Sequence, residues 1–169
     1  MPTKIFVLGA TGYVGGSILS HLQSASSSSA YSFSALVHDN QRAEQLRSLN
    51  VEPVIGSFSD VPLLTAAATD ADIVINAFSD DLPAAQALVK GLRERGGKGG
   101  PAYLIQLSGT GLLCDHARGE NDAQMPFDDL DVSRIRQLPE GQPHKNVDDY
   151  LFSCKDQLDV LRTIITCPP

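Results

Sequence analysis

The sequence predicts an α/β fold: a doubly wound, mostly parallel six-stranded sheet with helices on both faces. Short apolar runs rich in β-branched residues recur at 5–8, 33–37, 51–55, 73–77, 103–107 and 163–167, each of a length suited to a strand buried on both sides. Helical patterns fall between these runs. The connections are short, so successive strands run parallel and join through right-handed crossovers. Length and composition agree, since 169 residues suit one domain and 42% hydrophobic with 20% charged residues is ordinary globular usage.

Taken in order, the first strand passes through a glycine-rich turn into a helix over 13–23. The run Ser24-Ala25-Ser26-Ser27-Ser28-Ser29 has only small side chains and reads as a surface loop without a functional signal. Helices over 41–49 and 61–69 follow the second and third strands. The strongest helical segment follows the fourth, where Leu82, Ala85, Leu88, Val89 and Leu92 recur at three- and four-residue steps after Ser79, Asp80 and Asp81, with Pro83 in the first turn. Gly96-Gly97-Lys98-Gly99-Gly100-Pro101 stops it and turns the chain to the fifth strand. The segment 109–147 is acidic, with a faint helical pattern at 132–138, and reads as a long excursion of the kind that forms lids or binding loops. A weak helical pattern at 155–161 leads to the sixth strand, where the chain ends at Pro169. The expectation is one nucleotide-binding domain over 1–169, truncated so that the substrate-binding C-terminal part is largely absent.

Several classes of function are disfavoured. No apolar run approaches the ~20 residues of a membrane span, and the start of the chain passes directly into the first strand without the parts of a signal peptide. Cys114, Cys154 and Cys167 are odd in number and form no Cys-x-x-Cys pair, which suits a reducing cytoplasm and points to neither a zinc site nor a disulfide framework. A net charge of −7, with scattered Lys and Arg, opposes direct nucleic-acid binding.

Gly9-Ala10-Thr11-Gly12-Tyr13-Val14-Gly15 carries the chemistry. Glycines between a buried strand and a helix allow a tight turn, close approach of a pyrophosphate to the backbone, and close packing of helix on strand. The first N–H groups of that helix then face the phosphates, with Tyr13 and Val14 contributing through backbone. This is the Rossmann arrangement, and it implies NAD or NADP. Asp39 stands about where an acid accepts hydrogen bonds from the adenosine ribose, which favours NAD slightly; equally, Asp39-Asn40 suits the cap of the next helix. His38 is a weak, pH-dependent cation and leaves NADP open.

The same turn, continued by Gly16, resembles the signature of the short-chain dehydrogenase superfamily, in its extended and atypical, NmrA-like branch. Further resemblance runs through Ala35-Leu36-Val37-His38-Asp39, Val54-Ile55-Gly56-Ser57-Phe58-Ser59-Asp60, Asp72-Ile73-Val74-Ile75-Asn76-Ala77 and Leu107-Ser108-Gly109-Thr110-Gly111. It implies that His38 or Asp39 meets the ribose, that Phe58 flanks the adenine, and that Asn76, Ala77 and Phe78 line the cofactor cleft. Ser57 replaces an aspartate frequent in the family. Ser108 matches a serine that hydrogen-bonds a substrate carbonyl, although a turn serine before Gly109 is the commoner explanation.

The superfamily's tyrosine with a lysine four residues on is missing. Tyr150 precedes Lys155 by five residues, which places the two off one another's helical face. Asp115-His116, and His144 with its neighbouring aspartates, read as exposed loop residues rather than a triad or metal site. Two functions remain open: an oxidoreductase domain acting on a small carbonyl or sugar-like substrate, or a non-catalytic dinucleotide sensor that signals to a protein partner.

Overall fold

A computed structural model describes residues 1–25, 28–78, 80–114, 127–128, 130–154 and 159–167. Six parallel strands, β1 (Thr3–Leu8), β2 (Tyr31–Val37), β3 (Val51–Ile55), β4 (Ile73–Asn76), β5 (Ala102–Leu107) and β6 (Leu161–Thr166), form one sheet in the order β3-β2-β1-β4-β5-β6. The order reverses between β1 and β4, so the crevice above their carboxyl ends is where ligands bind in such sheets. The helices are α1 (Tyr13–Ser24), α2 (Asn40–Ser48), α3 (Val61–Thr69), α4 (Leu82–Gly96), α5 (Val132–Arg136) and α6 (Lys145–Ser153).

Alternation along β1 divides the core. Phe6 and Leu8 pack on one face with Leu64 and Ala68 of α3, Leu88 and Leu92 of α4, and Val147 and Leu151 of α6. Ile5 and Val7 pack on the other with Leu19 of α1 and Ala43 and Leu46 of α2. This double coverage is why the strands read as continuous apolar runs.

Local chemistry sets the helix starts. Asp39, Asp60 and Asp81 accept hydrogen bonds from the backbone N–H of Arg42 (2.8 Å), Leu63 (3.1 Å) and Ala84 (2.7 Å), satisfying donors that have no partner within the helix. Pro62 and Pro83 occupy first turns, where a missing N–H costs nothing.

The structure departs from the sequence reading before β6. Residues 155–158 lie outside the described residues, 159–160 form a turn, and Leu161 already belongs to β6, so the expected helix does not reach 161. The helix that packs in this region is α6, which begins inside the expected excursion. Its inward face carries Lys145 and Asp148 beside Val147 and Leu151, and these charges break the apolar period. The excursion also holds a short 3-10 turn (Thr110–Leu113) and α5; residues 115–126 and 129 lie outside the described residues.

Candidate functional site

The glycine turn has the geometry its spacing predicts. Gly9 has φ +81°, a conformation that side chains disfavour, and a Cβ there would stand 3.0 Å from the Ala77 carbonyl oxygen. Gly12 closes the turn by donating its N–H to the Gly9 carbonyl at 2.9 Å. A Cβ on Gly15 would fall 2.2 Å from that same oxygen, so only glycine lets α1 lie this close to the end of β1. At Gly12 a Cβ would meet only the Gly9 oxygen, at 3.2 Å, and the backbone (φ −86°, ψ 172°) is ordinary. The first two requirements that glycine meets here are structural. Gly12 instead leaves open space in front of the N-terminus of α1, where the capping residue has no side chain to make a hydrogen bond.

Thr11 and Tyr13 are exposed beside this turn, Tyr13 almost fully (92%), and Val14 is partly so. A bulky apolar residue so exposed gains nothing from the core, which fits a contribution through its backbone. Ala77 and Phe78 form the opposite wall, since the Phe78 Cβ would stand 3.1 Å from a Cβ on Gly9. Asn76 is fully buried and donates to Gln106 Oε1 on β5 at 2.8 Å. Its own Oδ1 accepts from the Phe78 N–H at 3.4 Å, so Asn76 shapes the cleft wall from beneath rather than facing the cleft.

His38, Phe58 and Phe78 form a row above the ends of β2, β3 and β4. The His38 and Phe58 rings meet edge-on at 6.2 Å, and the Phe58 and Phe78 rings lie 4.9 Å apart. His38 Nδ1 is 3.1 Å from the Gly56 carbonyl, which fixes the ring. Asp39 caps α2 and also pairs with Arg42 at 2.6 Å. The backbone hydrogen bond from Arg42, with that residue's positive charge, holds the Asp39 carboxyl below its ordinary pKa of 3.8. The capping role is thus realised, and a cation stands where the sequence reading considered only an acid and a histidine.

At the end of β5, Ser108 is buried and donates to Asp148 Oδ2 at 2.6 Å. Asp148 lies on the inward face of α6, and its Oδ1 is buried without a hydrogen-bond partner among the described residues. Burial pushes its pKa up, against the lowering effects of the Ser108 hydrogen bond and of His144. His144 sits at the N-cap of α6 with φ +70°, its Nδ1 2.5 Å from Asp80 Oδ1. It is no exposed loop residue: its side chain is about three-quarters covered (26% exposed), because α6 packs its N-terminus against the ends of β4 and β5. Asp115, His116 and Lys155 lie outside the described residues. Tyr150 is a poor proton-transfer group, since burial and neighbouring Cys154 push its pKa up to about 12. Among the described residues no group of His, Cys, Asp and Glu is arranged to hold a metal ion.

The sequence reading missed the convergence of Ser108, His144, Asp80 and Asp148. A His and an Asp four residues apart were the available signal, legible only once a helix is assigned at 145–153.

The NmrA-like family model matches residues 1–96, more than half of the chain. The chain belongs to the NmrA-like family. An oxidase from Acremonium is 43% identical to this NmrA-like chain over 118 residues, which cover 67% of the chain and 32% of that protein. The chain thus spans about a third of the length of this curated relative. Among solved structures, a yeast methylglyoxal/isovaleraldehyde reductase complexed with NADPH superposes with a TM-score of 0.64 at 17% identity, covering 98% of this chain and 53% of that one. An anaerobillin reductase from Escherichia coli gives 0.60 at 17% identity, covering 98% and 72%. Both show a shared fold. No described helix is long and apolar enough to cross a membrane.

Proposed function

We propose that this NmrA-like chain binds a nicotinamide dinucleotide and serves as the cofactor-binding part of an oxidoreductase acting on a small carbonyl or sugar-like substrate. The observation that carries this reading is the N-terminus of α1 at the β1/β4 switch point, kept open by Gly12. Backbone N–H groups and the positive end of the helix dipole suit a pyrophosphate there. The row of His38, Phe58 and Phe78 supplies aromatic surface against which the adenine can pack. Bound in this way, the dinucleotide supplies hydride chemistry, and the chain orients it and shields it from water. The names of the Acremonium oxidase and of the NADPH-bound yeast reductase support the same class.

Cofactor choice leans to NAD in this proposal, because the Asp39 carboxylate opposes a 2′-phosphate. The Arg42 guanidinium, paired with Asp39 at 2.6 Å, narrows the margin. Three free cysteines suit a cytoplasmic setting.

Calorimetric titration with NADH and NADPH tests the reading, followed by NADH and NADPH consumption with a panel of aldehydes and ketones. Binding is the expected result; a folded chain that binds neither dinucleotide refutes the assignment. The raised pKa of Tyr150 favours a second reading, a dinucleotide sensor signalling to a protein partner. Binding without consumption would select it.

A further inference from the structure

We propose that His144 is the proton-transfer residue of this site, with Asp80 as its positioning residue and the Ser108–Asp148 pair beside it. The proposal rests on the dinucleotide reading above and deepens it.

Three elements bring the four groups together. Asp80 follows the end of β4, two residues beyond the Phe78 wall of the glycine turn, and Ser108 follows β5. His144 and Asp148 lie four apart, at the N-cap and in the first turns of α6. That is the separation at which the resembled superfamily places its tyrosine and lysine, so one helix here presents a different pair.

The imidazole is oriented at both ends. An ionised carboxylate only accepts, so Asp80 requires a proton on Nδ1, and the neutral ring keeps its lone pair on Nε2. Nε2 lies over Gly109, where a Cβ would stand only 2.6 Å away. Glycine after Ser108 is therefore what allows the ring edge to reach the end of β5. The left-handed backbone at His144, φ +70°, is a strained conformation for a non-glycine residue, and its side chain gives α6 no capping hydrogen bond in return. Such strain held at a cleft is typical of a functional position.

Asp148 strengthens the case. It is only 4% exposed, its Oδ2 accepts from Ser108, and its Oδ1 has no partner among the described residues although it is buried beside the cleft. Asp80 and Asp149 repel its charge and His144 attracts it. Cys167, beyond β6, feels the same carboxylate; burial first, then Asp148, pushes its thiol pKa up. Lys145 is engaged by Asp149 at 2.5 Å, whereas His144 turns its ring to Asp80 and Gly109, beside the Ser108–Asp148 pair.

The bound dinucleotide would supply the hydride chemistry of a carbonyl reduction, and His144 would supply the proton: the Nε2–H bond of the imidazolium breaks as an O–H bond forms on the substrate oxygen, and the neutral imidazole takes a proton back from hydronium or a buffer acid in solvent. Oxidation of an alcohol runs the same steps in reverse.

The test uses the full chain labelled with 15N-histidine, with the His144 signals assigned by their loss in His144→Asn, which keeps a residue tolerant of left-handed backbone. The neutral ring is expected to carry its proton on Nδ1, and Asp80→Asn to abolish that preference. Titration with NADH is expected to move the His144 signals, with a midpoint equal to the calorimetric Kd. With the aldehyde and ketone panel, His144→Asn should lower kcat by about 10²–10⁴-fold while the NADH Kd changes less than about twofold. A wild-type ring protonated on Nε2, His144 signals unmoved by bound NADH, an unchanged kcat in the variant, or binding without turnover each overturns the proposal. Failure to bind either dinucleotide overturns the dinucleotide reading itself, and calorimetry alone reports that.

Discussion

Replacing Gly12 by valine separates the phosphate-binding role of the glycine turn from its structural role. The backbone at Gly12 is one that valine adopts, and its Cβ would meet only the Gly9 carbonyl oxygen, at 3.2 Å. The cost to folding is a poorer N-cap plus a small shift at that contact, together about 1–2 kcal/mol. For a chain of this size that is a fall in Tm of roughly 2–8 °C, which leaves the protein folded at 25 °C. Binding is affected far more, because the new side chain fills the space through which a pyrophosphate reaches the first N–H groups of α1. Hydrogen bonds to a charged group contribute about 1.5–3 kcal/mol each, so losing two weakens dinucleotide binding by at least about a hundredfold. Thermal unfolding and calorimetry with NADH and NADPH read the two effects separately. A folded Gly12→Val chain whose affinity stays within about threefold of wild type would refute the assignment of this turn.

Gly15→Ala should behave in the opposite way, because its Cβ would lie 2.2 Å from the Gly9 oxygen and 2.6 Å from the carbonyl carbon, both backbone atoms. Destabilisation of about 3 kcal/mol or more is expected from displacing α1, visible as a denaturant midpoint far below that of Gly12→Val. Asp39→Ala should raise the affinity for NADPH relative to NADH by about fivefold, as removal of one exposed like charge near a phosphate would, measured by paired titrations; an unchanged ratio would leave Asp39 as a helix cap alone. Asp148→Asn tests the buried carboxyl through pH. Burial raises its pKa above 3.8, so its favourable contribution is complete below that value and is lost as pH rises through the raised one. The asparagine variant should therefore melt higher than wild type at pH 7–8, with the gap closing towards pH 4. A variant that melts lower at pH 8 would contradict the sign.

Much of this protein was legible in its sequence because its information is local. Six apolar runs name the strands, the four inner ones covered on both faces, and Asp60, Asp81, Pro62 and Pro83 mark helix starts through their own local chemistry. The roles of Gly9, Gly12 and Gly15 follow from their place between a strand and a helix. The tertiary structure decided the rest, wherever a side chain's partner is remote. Asn76 faces Gln106, 30 residues away, instead of the cleft. The convergence of Asp80, Ser108, His144 and Asp148 spans 64 residues between Asp80 and His144 and was hidden in sequence for a physical reason. The inward face of α6 holds Lys145 and Asp148 beside Val147 and Leu151, and a helix that buries charge at a site loses the apolar period by which helices are recognised.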